Sequence, residues 1–391
     1  SAFSGTGSSA LEVSPGGAWS AGTIWEKSMN TKTVRSLAAA TALLGFSAVS
    51  AWAQDVPAGY PADYATIVEA AKKEGTVSIY TSTDAAQSQK LQDAFTAKFG
   101  IKIAYNDLGT NGAYNQVISE AAASQVTADV VWSSAMDLQM TLVQDEYAEE
   151  YASPEAANLP AWAAYKNILY GTTVEPIGMI YNTKALTEDK LPKTYADLIT
   201  FLKDNKGELQ GKVATFDPEK SGSGFLNHSN DAKNRPDFWD LAKAMGDDGV
   251  KIYSSSGGMK ETVVSGENVI AINIIGSYAL DWIKESPNLG VHFAADYAPA
   301  FSRLALVTKG APHPNAAKVF VDFMLSKEGQ SLLAEGGLPS VREDVSAGLN
   351  IKTLNERVGG GLKPIAVDEG VLEYMDQMKR VQFLNDWKAA L

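Results

Sequence analysis

The sequence predicts an α/β protein, and three observations carry that prediction. Short runs rich in β-branched residues, TVSIYTS (76–82), IKIAYNDLG (101–109) and ADVVWSS (128–134), alternate with amphipathic segments of helical period. Alternation at that spacing means βαβ units, hence a parallel sheet with helices on both faces. The chain has 391 residues, more than a single core usually holds, so two lobes of ordinary size are expected. Its hydrophobic content of 45% and charged content of 20% are those of a soluble globular protein.

The elements follow in order. DYATIVEAAKKEG (63–75) has apolar residues at helical spacing and stops on Gly75, a glycine C-cap. TVSIYTS alternates as a strand. DAAQSQKLQDAFTAKFG (84–100) places Leu91, Phe95 and Phe99 at i, i+4 and i+8 and again ends on glycine. After the strand IKIAYNDLG a helix is expected over 114–124. ADVVWSS is apolar enough for a strand buried on both faces. PIGMIYNTKAL (176–186) is a further strand, and LPKTYADLITFLKDN (191–205) a helix entered through Pro and Thr. GKVATF (211–216) leads through a loop into another helix. Residues 269–275 form a short apolar strand, with Gly276-Ser277-Tyr278 opening the next helix. Strands across 291–308, a helix after Pro314 and a C-terminal helical region close the chain. No fixed-period repeat is present.

Bulk properties narrow the function. The formal charge of −13 repels nucleic acid and anionic lipid, so neither is an expected partner. There are no cysteines, which removes disulfides, thiolate metal sites and cysteine nucleophiles. No G-x-S-x-G, H-E-x-x-H or P-loop occurs, so the chain is not expected to be an enzyme. The histidines His228, His292 and His313 lack metal spacing, and neither a metal nor a cofactor is expected.

From Met29 the chain reads MNTKTVRSLAAATALLGFSAVSAWAQD. Lys32 and Arg35 form a basic region, 37–50 an apolar stretch, and Ala51-Trp52-Ala53 an A-x-A cleavage site. This is the layout of a secretory signal peptide over 29–53, cleaved near Ala53, and it predicts an exported, periplasmic protein. Residues 1–28 show no sustained period and are expected to be a non-native or upstream leader.

In parallel sheets, ligands bind beyond the carboxyl ends of the strands. Here those ends carry hydroxyl clusters, Ser82-Thr83-Asp84 after the first strand and Ser133-Ser134 after the third. The loop FDPEKSGSGF (216–225) adds Asp217, Ser221, Gly222 and Ser223 ahead of a helix. Glycines let the backbone approach a ligand and serines add donors. Ser before a helix is also an ordinary N-cap, and Asp-Pro an ordinary turn. Trp132 and Tyr80 either stack on a ligand or pack in the core.

Taken in order, VSIYTSTDAAQSQKLQDAFTAKFGIKI, ADVVWSSAMD, GMIYNTKAL, LPKTYADL, DPEKSGSGF and PHPNAAKVFVDFMLSKEGQSLLAEGGLPSVRED resemble the extracellular solute-binding proteins of bacterial ABC importers. The resemblance is to the branch of ferric-iron-, phosphorylated-sugar-, phosphonate- and thiamine-binding proteins. It covers almost all of the chain after residue 55. It implies a two-lobed periplasmic-binding-protein fold, type II-like, with two crossover strands and a hinge. Lobe one is expected over 56–172 and 300–340, and lobe two over 173–299 and 341–391. The crossovers fall near 171–181 and 297–304. The implied partners are a small-molecule solute and an inner-membrane permease, and the implied state is a monomer.

The resemblance also tests iron. Iron-binding members need anionic oxygens at positions held here by Asp84, by Ser133-Ser134 and by Ser277-Tyr278. That set has one carboxylate and one tyrosine, too few for iron. The expected solute is therefore a small organic anion, a phosphate ester, phosphonate or carboxylate. It would be held by Ser82, Thr83, Asp84, Ser133, Ser134, Asp217, Ser221, Gly222, Ser223, Ser277 and Tyr278, with Arg303 as a bidentate partner. The alternatives are a cationic solute, met by Asp84, Asp137, Trp132 and Tyr278, or ferric iron.

Overall fold

In the computed structural model, which describes residues 56–391, strands and helices alternate largely as the sequence predicts. The leader and the signal peptide lie outside the described residues. The chain begins α1 (Tyr64–Glu74), β1 (Thr76–Thr81), α2 (Ala85–Phe99), β2 (Lys102–Asp107), α3 (Gly109–Ala122), β3 (Val130–Ser133), α4 (Met136–Gln144). Gly75 and Gly100 both take left-handed backbone, φ 70°, as the C-caps of α1 and α2. α3 starts five residues before the expected 114, because Gly109 at φ +67° turns the chain straight from strand into helix. TNG carries no apolar period that would reveal it.

Two short strands, β4 (Ala148–Glu149) and β5 (Ala164–Tyr165), precede β6 (Leu169–Gly171) and β7 (Glu175–Asn182). Then come α5 (Tyr195–Asp204), α6 (Lys206–Leu209), β8 (Val213–Phe216), α7 (Gly222–Asn234), α8 (Phe238–Asp247), β9 (Lys251–Tyr253), α9 (Ser256–Ser265), β10 (Ile270–Ile275) and α10 (Gly276–Trp282). α5 opens with a reciprocal capping box between Thr194 and Asp197. β11 (Leu289–His292), β12 (Ala298–Phe301), β13 (Leu304–Thr308), α11 (Pro314–Leu325), α12 (Lys327–Glu335), α13 (Ile351–Arg357), β14 (Leu362–Pro364) and α14 (Gln377–Ala390) complete the order.

The strands form two sheets of seven, one per lobe. The first runs β2-β1-β3-β13-β6-β5, with β4 beside β13, and the second β14-β12-β7-β10-β8-β9, with β11 beside β7. Both are mixed, where βαβ alternation alone predicts parallel. β1, β2 and β3 are parallel, whereas β13 returns antiparallel to β3 and β6. β13 enters its sheet from the opposite lobe, so its direction is set by the crossover and not by a preceding helix.

The chain passes between sheets twice, at 171–175 and at 301–304, and the two passages lie side by side. Thr172 N donates to Arg303 O at 2.9 Å, and Arg303 N to Thr173 Oγ1 at 2.9 Å. The approach is close enough that a Cβ on Gly171 would meet Ser302 Oγ at 2.7 Å. Each sheet has its own aromatic packing. Phe95, Phe99, Phe320 and Phe323 cluster against the first, with Phe95 and Phe320 ring centres 5.1 Å apart. Phe238, Phe383 and Trp387 pack against the second, which anchors α14 there. Burying one such ring stabilises the fold by roughly 1.5–3 kcal/mol.

The C-terminal segment was expected to belong to lobe two alone. β14 and α14 do join the second sheet's side, but the turn of 3-10 helix at Glu369–Met375 reaches across. Tyr165 and Lys166, beside the first sheet, both hydrogen-bond Glu369. Arg342 Nη1 likewise binds Glu155 at 2.7 Å. Segments this far along pack wherever apolar or charged partners are offered, which the order of elements does not show.

Candidate functional site

A cavity of about 390 Å³ lies between the two sheets, at the carboxyl ends of their strands. It is framed by the loops that follow β1, β2, β3, β8, β9 and β10, so several helices point their N-termini at it. Unsatisfied N–H groups and the positive helix-dipole end make such a cleft attractive to anions. A second cavity of the same volume, between α7, β14 and the C-terminal 3-10 turn, has no α-helix start in its wall.

Seven of the expected residues line the interlobe cavity: Ser82, Asp84, Ser134, Ser221, Ser223, Tyr278 and Arg303. Across it, Ser134 Oγ meets Ser223 Oγ at 2.8 Å, and Asp84 N donates to Tyr278 Oη at 3.3 Å. Ser82 Oγ lies 3.1 Å from Ser134 Oγ and accepts from Ser134 N at 3.0 Å. Ser221 is the N-cap of α7, its Oγ accepting from Gly224 N at 3.1 Å. Its hydroxyl therefore has a structural task as well as a place in the wall.

Five others are turned away from the cavity by partners of their own. Thr83 is fully buried and its Oγ1 accepts from Arg303 Nη1 at 3.0 Å. Ser133 Oγ accepts from Ala135 N at 3.3 Å. Asp217 closes its own turn, accepting from Glu219 N at 2.9 Å and Lys220 N at 3.2 Å. Gly222 is pressed against α3, with its N–H on Thr110 Oγ1 at 3.2 Å. Ser277 is buried and donates to Glu175.

Arg303 corrects the sequence reading in another way. Its fork is already spent: Nε donates to Glu175 Oε1 at 2.7 Å and Nη2 to Oε2 at 3.1 Å, with both side chains buried. Nη1 holds Ser82 O at 3.2 Å. Burial works against the guanidinium's charge, yet Glu175 holds it above the usual arginine range. The bidentate partner foreseen for a ligand is thus a protein carboxylate. Trp132 and Asp137 are buried outside the cavity, Trp132 donating to Thr172 Oγ1 at 2.8 Å. Burial raises the Asp137 carboxyl to about 6. Tyr80 hydrogen-bonds Glu120, and His313 Nδ1 lies 2.9 Å from Asp129.

The wall also holds residues that the sequence reading passed over: Asp107 and Thr110 at the start of α3, and 254–257, Lys260, Glu261 and Trp282 around α9. A readable signal existed for one of them. SSSGG at 254–258 follows the short strand KIY just as SGSG follows VATF. Burial raises the Asp107 carboxyl, Gly109 N opposes that, and Asp84 adds repulsion. Burial likewise raises the Tyr278 phenol, against the pull of Arg303, whose guanidinium lies 5.0 Å from the ring. No group of three His, Cys, Asp or Glu side chains placed to hold a metal occurs among the described residues. No helix among them is long and apolar enough to cross a membrane.

Two lobes joined by paired crossovers, with a polar cleft between them, define a solute-binding protein. The chain belongs to the bacterial extracellular solute-binding proteins, whose family model matches residues 90–356. It is similar to the substrate-binding protein of an ABC transporter from Agrobacterium tumefaciens, at 36% identity and a TM-score of 0.76, covering 81% of this chain and 94% of that one. A periplasmic protein of Salmonella typhi, named provisionally for binding 2-aminoethylphosphonate, is 27% identical over 267 residues, 65% of this chain and 74% of its own. AfuA from Actinobacillus pleuropneumoniae, solved with fructose-6-phosphate, shares the fold at 21% identity and a TM-score of 0.66, covering 81% of this chain and 98% of that one.

Proposed function

We propose that this protein is the periplasmic component of an ABC importer that captures a small organic anion in the interlobe cleft. It acts as a monomer and hands the solute, a phosphate ester, phosphonate or carboxylate, to an inner-membrane permease. The observation that carries the reading is the convergence of hydroxyl-bearing helix starts on one cavity: Thr110 on α3, Ser221 and Ser223 on α7, and 254–256 before and on α9. Amides and hydroxyls there collect oxyanions without needing a full counter-charge. The similarity to a phosphonate-named relative supports the same class. The lobes divide near the passages at 171–175 and 301–304, and ligand bridging them shifts the population toward the closed form. Binding is the whole task, and no chemical step on the solute is part of it.

A second reading rests on a specific feature. Asp84 and Asp107 line the cleft, and among the described residues neither forms an ion pair. An amine would meet both carboxylates there, as in a polyamine or thiamine-like solute, and with Glu261 and the Tyr278 phenol they are the oxygen donors that the cleft offers ferric iron. A thermal-shift screen separates the readings. The panel holds phosphate esters, phosphonates, carboxylates, polyamines, thiamine and ferric citrate. A ligand at a hundredfold excess over Kd adds roughly 2.7 kcal/mol of stability. A rise in Tm with anionic compounds is expected; a rise only with amines or iron would replace the anion reading.

A further inference from the structure

One polar group in the cleft has nothing to bond. Ser256 opens α9 and lines the cavity at 5% exposure, yet its Oγ has no hydrogen-bond partner among the described residues. A buried hydroxyl left in that state costs about 1–3 kcal/mol, and of the unpartnered buried side chains among the described residues it is the one that lines this cavity. Its neighbour shows the contrast: Ser255 Oγ is the N-cap, accepting from Gly258 N at 3.2 Å.

Gly257 adds an independent sign. A Cβ built there would meet no atom within 4 Å, and its φ is not left-handed. Neither packing nor backbone asks for glycine, although glycine in a helix costs about 1 kcal/mol relative to alanine. What it permits is close approach of another molecule to the first turn of α9. Lys260, one turn beyond Ser256 on the same face, also lines the cavity, its ammonium 5.5 Å from the Trp282 ring and 3.9 Å from Glu261. The start of α7 is, by contrast, already engaged. Gly222 N is on Thr110, Gly224 N on Ser221, and Ser223 Oγ on Ser134.

We infer that the anionic group of the solute sits on the start of α9. Ser256 Oγ and the amides of Ser256 and Gly257 take its oxygens, and Lys260 supplies the positive charge. Ser223 and the Gly222 amide of α7 then serve as the contact that closes the lobes. This rests on the anion reading above and places the anion within the same cleft.

Titration calorimetry of the protein with inorganic phosphate and 2-aminoethylphosphonate tests it, using wild type, Ser256→Ala, Gly257→Leu and Ser223→Ala. Ser256→Ala should weaken the anion at least about tenfold, as expected for a hydrogen bond to a charged group, and leave the Tm of the free protein unchanged or higher. Gly257→Leu should abolish binding by filling the approach, and Ser223→Ala should weaken it less than Ser256→Ala does. Wild-type affinity in Ser256→Ala and Gly257→Leu would overturn the α9 site while leaving the anion reading intact. A wild type that binds neither of these nor any phosphate ester, phosphonate or carboxylate of the thermal-shift panel overturns both.

Discussion

Arg303 and Glu175 sit where the chain passes twice between the lobes, and their pairing joins the two passages. Both are buried, with Nε–Oε1 at 2.7 Å. Removing one partner leaves an uncompensated buried charge, which costs about 3–5 kcal/mol. Arg303→Met should therefore lower the unfolding free energy in chemical denaturation by that amount, and adding Glu175→Leu should recover most of it. An Arg303→Met protein of undiminished stability would show that the pair does not hold the crossover. The arginine was legible in APAFSRLAL, but its role was not. Its partner lies 128 positions away, and a one-dimensional reading offers no way to pair the two.

Helices were the most legible features, because their signals are local. Gly75 and Gly100 end helices as the glycine rule says, and Pro314 begins one at its N1 position. The serines of SGSG show where local reading divides. Ser221 proves to be an N-cap that also faces the cleft, so Ser221→Ala should cost about 1 kcal/mol of stability through the lost cap, visible as a lower Tm. A variant as stable as wild type would mean the hydroxyl is not holding Gly224 N. α3 hid its first turn behind TNG, and with it Thr110, which faces α7 from the opposite lobe.

Across the cleft, among the described residues, the lobes touch through Ser134 to Ser223, Asp84 N to Tyr278 Oη, Gly222 N to Thr110, and Asn111 Nδ2 to Lys220 O at 3.2 Å. In the proposed function these bonds favour the closed form, and a ligand bridging the lobes adds to them. Replacing Thr110 by Val and Ser134 by Ala together should shift the free protein toward open forms. Small-angle scattering would then report a larger radius of gyration, and saturating solute would bring it back toward the wild-type value. An unchanged radius would place the closing energy elsewhere, with the C-terminal turn that Tyr165 and Lys166 hold at Glu369 the next region to test.

Read alone, the sequence determined the α/β class and the run of elements, since hydrophobic period, caps and turn chemistry are written in neighbouring residues; the family was legible only as a resemblance, in the order of its quoted segments. It also marked the strand ends as donor-rich. Only the tertiary structure decided which donors share a cavity. Ser82, Ser134 and Ser223 meet there, whereas Thr83, Ser133, Asp217 and Ser277 are spent on nearer partners. The SSSGG run, alike in composition to SGSG, became notable only once the fold left Ser256 buried beside open space. Whether a hydroxyl serves the protein or a ligand depends on what stands opposite it, and that is set by contacts between residues far apart in the chain.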